Sequence, residues 1–272
     1  LIRALALASL CQLPVPSAPG EQAPEALALP AYRVHLFASE DQDPDLLARL
    51  ARPGAVLWLR TRSNMLRKSV VERLPRFDES YVQMRPPLSD ADLRALAGAP
   101  EAGAWLSATA LSNGSLFRLG ARRRAVDVDG PLTEEVAASV RAARPARVRW
   151  RPREIPSLDE WARFAQLPGA RVLVWDGPLH GADAGCPLPG RWEGLALWAD
   201  SPRWSAPAEL AATCGWGLWV RLVPSVGDAW LQRLFARDAA VELELDVPDD
   251  RSIAAVRGLL ARIEAAAPRA GR

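Results

Sequence analysis

Histidine and lysine are nearly missing from this sequence. Two histidines, His35 and His180, serve 272 residues, and Lys68 is the one lysine among 34 basic residues. So few imidazoles cannot supply a His-rich metal centre. The near-exclusive use of arginine reads as a bias of composition rather than as many dedicated anion sites. Cysteine is scarce too: Cys11, Cys186 and Cys214 form no CxxC pair, which excludes a zinc ribbon or a thioredoxin-like motif. An excess of one charge is also lacking, since 34 basic and 32 acidic residues leave a net charge of +2. That balance offers no global field to nucleic acid or to an acidic membrane. No apolar run reaches the roughly 20 residues of a transmembrane helix. The GxSxG elbow, the GxxxxGK[ST] loop, the GxGxxG corner, HExxH and the DxDxDG loop are all absent.

What is present begins with an apolar run behind Arg3, at residues 4–13. Its length suits the core of a signal peptide, and Ala18 and Gly20 precede a suitable cleavage point before Glu21. The organisation expected is a signal peptide at 1–20, a Pro-rich linker at 21–30, a single α/β repeat domain at 31–268 and a tail at 269–272. Export to the periplasm, the medium or the cell surface follows from this reading. The alternative is a cytoplasmic protein with a frayed leading helix. Ser9-Leu10-Cys11 resembles a lipoprotein box, although Leu10 stands where such boxes carry a small residue. In an oxidising compartment Cys186 and Cys214, 28 residues apart, are a disulfide candidate.

Strand-like runs start at residues 33, 55, 80, 103, 125, 147, 171, 194, 217 and 240, a pitch of 22 to 25 residues. Proline follows seven of the ten closely, and it both ends a ladder and suits the first turn of a helix. Helix-like segments at 45–51, 66–74, 90–97, 134–143, 157–166, 208–213, 226–236 and 251–266 fill most gaps, with Ser89, Thr133 and Ser157 as N-cap candidates. Two gaps differ. Residues 109–124 carry Asn113-Gly114 and read as a hairpin excursion, and 177–192 read as a long loop. Strands joined through helices are parallel. The fold class expected is therefore α/β with strand-helix repeats of about 23 residues, a compact or irregular (β/α) TIM-like barrel. Since eight strands close such a barrel and ten are counted, two are expected to sit outside it. The alternative is an open βα solenoid, leucine-rich-repeat-like, although the LxxLxLxxN ladder is absent.

Candidate chemistry collects at the strand ends. Asp129, Asp176, Asp200 and Asp246 each precede a proline by two residues, and Arg85 and Arg151 occupy comparable places. In a barrel these ends form the rim where active sites are built. Asp176, Asp200 and Asp246 are the catalytic candidates, for paired carboxylates are the equipment of glycoside hydrolysis. Asp-Gly-Pro and Asp-Ser-Pro are equally ordinary turn sequences. His180, in the loop after Asp176, and Trp192, Trp204, Arg85 and Arg151 are the substrate-binding candidates. Alternation also sets Asp127 and Asp129 on one side of their strand and Arg147, Arg149 and Arg151 on one side of the next. Glu242, Glu244 and Asp246 form a third column, and a charged interior would account for all three. The functional expectation is a non-catalytic binding or scaffold role at the strand C-terminal rim, with carbohydrate or another protein as partner and no cofactor. A glycosidase-like carbohydrate-active hydrolase using the strand-end aspartates is the alternative.

Overall fold

A computed structural model describes residues 32–61, 68–85, 88, 90–111, 113–174, 195–200, 205–236 and 240–267. The strands are β1 (Tyr32–Ser39), β2 (Ala55–Arg60), β3 (Glu79–Gln83), β4 (Gly103–Ser107), β5 (Arg124–Asp129), β6 (Arg147–Arg151), β7 (Ala170–Leu173), β8 (Leu195–Asp200), β9 (Gly217–Leu222) and β10 (Val241–Val247). All are parallel, each pairs with its neighbours in sequence, and β10 pairs with β1 to close the barrel. The seam runs from Tyr32 opposite Val241 to Ala38 opposite Val247. Closure excludes the open solenoid. It also corrects the expectation of two strands outside an eight-strand barrel, because all ten belong to one sheet. The physical reason lies in the shared side-chain pattern: each strand has an aliphatic row that needs a helix layer and an opposite row that needs an interior.

The helices are α1 (Pro44–Ala48), α2 (Lys68–Val71), α3 (Asp90–Ala97), α4 (Asn113–Leu119), α5 (Glu134–Ala143), α6 (Leu158–Ala165), α7 (Ser205–Cys214), α8 (Asp228–Phe235) and α9 (Ser252–Ala266). Thr133 caps α5, and Ser157 with Glu160 forms a capping box on α6. Ser89 lies outside the described residues. The hairpin expected over 109–124 is instead a 3-10 turn, Ala108–Ala110, followed by α4. Ser115 and Leu119, four residues apart, are both buried, so this piece has a helical face rather than strand alternation.

Between barrel and helices lies the larger core, built from rows such as Val34, Leu36 and Ala38 of β1, Leu218, Val220 and Leu222 of β9, and Leu243 and Leu245 of β10. A second, separate cluster fills the lumen with Phe37, Val56, Trp58, Tyr81, Trp105, Val172 and Trp219. In the Asp129-Gly130-Pro131-Leu132 corner, Leu132 packs in the outer layer. Gly130 has φ +97°, its N–H donates to Arg151 O at 2.8 Å, and its carbonyl accepts from Trp150 Nε1 at 2.9 Å. The second copy of this tetrapeptide, at 176–179, lies outside the described residues.

Lumen packing also explains the glycine that opens β4. A Cβ on Gly103 would lie 2.7 Å from Tyr81 Cδ1 and 2.9 Å from the Arg123 carbonyl. Gly103→Ala should therefore push the Tyr81 ring off its place and cost about 1–3 kcal/mol. Urea unfolding at neutral pH checks this, and an unchanged midpoint would mean that the ring moves freely.

Candidate functional site

Inward-facing positions of the strands stack in layers along the lumen. Near the N-terminal end, the Trp58 indole Nε1–H donates to His35 Nδ1 at 3.0 Å. An indole N–H can only donate, so Nδ1 carries a lone pair and His35 is a neutral Nε2–H tautomer. That N–H donates to Glu242. Burial pushes the His35 imidazole down to about 4, further than the adjoining Glu242 carboxylate lifts it. Burial alone would raise Glu242, but the His35 hydrogen bond and the Arg147 guanidinium hold it down at about 2. Arg147 Nη1 reaches Glu242 at 3.0 Å, and its Nε reaches Glu79 at 3.4 Å. Glu79 also meets Arg33 at 2.8 Å, accepts from the Tyr81 hydroxyl at 3.0 Å and lies 3.5 Å from Arg123. Burial and the neighbouring Glu79 push the Tyr81 phenol up to about 12.

Further along the lumen, Glu244 accepts from Trp219 Nε1 at 2.7 Å and from Trp198 Nε1 at 3.3 Å. Trp219 stacks on His35 with ring centroids 3.8 Å apart, and the Arg149 guanidinium lies 4.7 Å from the centre of the Phe37 ring. These groups are largely tied to one another, although Arg149 Nε is buried without a hydrogen-bond partner among the described residues and a cavity of about 160 Å³ opens beside Arg33, Glu79 and Arg123. Among the described residues, no group of three or more His, Cys, Asp or Glu is placed to hold a metal ion.

At the C-terminal rim the situation changes. A cavity of about 360 Å³ opens over the ends of β3, β4 and β5. Its apolar surface comes from Trp105, Met84, Leu106 and Ala110, and its polar groups are Gln83, Arg85, Ser107, Thr109, Asp127 and Asp129. Ser107 Oγ and Thr109 Oγ1 are 2.9 Å apart. Asp127 Oδ1 is shut off from solvent and makes no hydrogen bond among the described residues. An ionised oxygen in that position would be costly. Burial accordingly pushes the Asp127 carboxyl up from the ordinary carboxylate range, against the Arg149 guanidinium and the Trp105 indole N–H, which favour its charged form. Asp129, two residues on, is more than half exposed and lies 3.5 Å from Arg151.

The rim brings only some of the sequence-derived candidates together. Arg85 lines the cavity, and Arg151 stands beside it through Asp129. Asp246 lies elsewhere on the rim, held by Arg60 at 3.0 Å and Arg221 at 2.6 Å. Asp200 ends β8 in register with Arg221. Asp176, His180, Cys186, Trp192 and Trp204 lie outside the described residues. Cys214 is buried at the end of α7. Asp127 and Trp105 are the additions that sequence reasoning did not rank. The available signal was the alternation itself, which puts Asp127 one step inward from Asp129 on the same face.

No protein-family model matches the chain, and no curated protein matches it. Two solved structures of protein CitE from Mycobacterium tuberculosis are similar in fold. The one in complex with magnesium and acetate is 16% identical over 85% of this chain and 95% of its own, with a TM-score of 0.38. The one in complex with magnesium and pyruvate is 17% identical over 88% and 99%, with a TM-score of 0.39. Neither similarity transfers a ligand or a reaction to this chain.

The lumen carries its own pH dependence. His35 drops from the ordinary 6.5 to about 4 on folding, so between those values the unfolded chain binds more protons. The stability this gives is fully present above about 6.5 and is lost as pH falls, on the order of 3 kcal/mol by pH 4. Glu242, lowered from 4.5 to about 2, adds a further loss below 4.5. Denaturant midpoints measured from pH 7.5 down to pH 4 should fall in the native protein and fall less in His35→Gln. Equal slopes in both would place the dependence on other groups.

Proposed function

We propose that this barrel binds a carbohydrate in the rim cavity over β3, β4 and β5. The observation that carries the reading is the mixed lining of that cavity, hydroxyl, amide and carboxyl groups around an apolar surface that includes Trp105. Sugars present hydroxyls that both donate and accept, together with an apolar C–H face, and such a lining answers both. The polar walls disfavour a flat hydrocarbon. This is the binding role that the sequence suggests, placed at Asp127 and Asp129 rather than at Asp176, Asp200 and Asp246. Export belongs to the same reading, since it would bring the cavity to extracellular glycans, and with it a Cys186–Cys214 disulfide.

Calorimetric titration with cello-, xylo-, manno- and chito-tetraose tests the proposal. One of them should bind, and Gln83→Ala and Thr109→Ala should each weaken it about 2- to 10-fold, the value of one hydrogen bond. Binding that both variants leave unchanged would move the site elsewhere, and no heat with any of the four would refute the reading. For the disulfide, alkylation of the unreduced, denatured protein followed by mass measurement should leave Cys186 and Cys214 unlabelled; two labelled residues would exclude the bridge.

A further inference from the structure

We infer that the sugar taken by the rim cavity is a uronic acid, and that Arg85 receives its carboxylate. The inference rests on the carbohydrate reading and deepens it by naming the charge of the ligand.

Three adjacent strands build the cavity. Gln83 of β3 pairs with Trp105 of β4, and Ser107 of β4 pairs with Asp127 of β5. Arg85 lies two residues past Gln83, as Asp129 lies two past Asp127, and all four line the cavity. Arg85 thus stands on the side of β3 and the acids on the side of β5, with Ser107 and Thr109 between them. β4 holds β3 and β5 apart by two strand spacings, roughly 10 Å.

The charges on these two sides are not matched to each other. Asp129 lies 3.5 Å from Arg151, its partner in register on β6. Burial pushes Asp127 towards its uncharged form. Arg60 and Arg221 share Asp246 elsewhere on the rim. Arg85, by contrast, makes no ion pair and no hydrogen bond among the described residues, and there it is the one cation in the cavity lining.

A guanidinium presents a planar fork of N–H donors that matches the two oxygens of a carboxylate. A uronic acid carries that carboxylate on the same ring as its hydroxyls. With the carboxylate at Arg85 the ring lies over β4, where Gln83, Ser107 and Thr109 answer hydroxyls and Trp105 answers the C–H face. A neutral sugar would leave the guanidinium to water.

The test pairs mannotetraose with the tetramannuronate of the same linkage, and cellotetraose with the matching tetraglucuronate. Members of each pair differ only at the C6 carbon, and calorimetric titration measures both. In one pair the uronate should bind at least about 10-fold more tightly at about 20 mM salt, and lose part of that advantage at about 300 mM. Arg85→Gln should weaken the uronate about 10- to 100-fold and its neutral partner less than about 3-fold. Arg85→Lys, which keeps the charge without the fork, should fall between native and Arg85→Gln. Arg153→Gln removes an exposed rim cation outside the cavity lining and should change neither affinity. Arg85 is exposed, so an unchanged urea midpoint in its variants separates a lost contact from a lost fold. A neutral tetraose that binds as tightly as its uronate overturns this inference and leaves the carbohydrate reading intact. Equal losses of both ligands in Arg85→Gln would also overturn it, by removing Arg85 as the reader of charge. So would an equal loss of the uronate in Arg153→Gln, which would trace the preference to the field of the whole rim. No heat from any uronate or neutral tetraose overturns both readings.

Discussion

The width of the barrel governs the rest of the structure. Barrel diameter grows with strand number, and eight strands already enclose about as much space as aliphatic side chains fill. Ten strands enclose more, and here the lumen is filled by Trp58, Trp105, Trp219, Tyr81 and Phe37. Indoles bring a second obligation, because a buried N–H needs an acceptor. Trp58 finds His35, and Trp219 and Trp198 share Glu244. Carboxylates in turn need cations or donors, so Arg147 lies against Glu242 and Glu79. Width thus calls for tryptophan, tryptophan for an acceptor, and the acceptor for arginine. The lumen tryptophans Trp58, Trp105, Trp198 and Trp219 and the charged inward columns have one cause.

The two ends of the lumen discharge these obligations differently. Towards the N-terminal end, Glu79 is met by Arg147, Arg33, Arg123 and Tyr81, and Glu242 by His35 and Arg147. Groups so matched hold the strands in place and have little chemistry to spare. At the C-terminal end between β3 and β5, the filling stops one layer short, a cavity opens, and Asp127 keeps an oxygen without a partner. In barrels of this kind reactive groups collect at the C-terminal face, built from strand ends and the loops that follow. The unpartnered Asp127 oxygen beside the larger of the two cavities described is a local, physical reason to seek function at that rim.

Much of this was legible in the residues, and the failures have particular causes. The strand spacing and the prolines gave every strand, since a regular pitch is a local signal. The pairing of Asp129 with Arg151 followed from alternation on adjacent strands, and both are found in register. The number of strands in the closed sheet was not legible, because closure depends on whether Val34 of β1 meets Leu243 of β10, a contact between distant ends of the chain. Asp246 read as a free strand-end acid for the same reason. Arg60 and Arg221, which hold it, come from strands far away and close by, and nothing in the local sequence joins them. Asp127 was visible in its column but lacked the turn proline that drew attention to its neighbours.

Ion pairs inside a barrel are weak evidence for stability, since removing charges from water costs much of what their attraction returns. Their use here is better understood as a matter of register. Ten repeats of similar length with interchangeable aliphatic rows could pair in several frames, and a shift of one residue would turn every aliphatic row inward. The outward Val, Leu and Ala rows do not tell one strand from the next. The inward charges do. Asp246 fits between Arg60 and Arg221, Glu242 fits His35 and Arg147, and Asp129 fits Arg151, each combination naming particular strands. A frame that separated Glu242 from His35 and Arg147 would leave the buried Arg147 without its carboxylate, the costlier error. On this view the polar lumen selects which strands meet and in what frame, and the aliphatic layer outside supplies most of the energy that keeps them together.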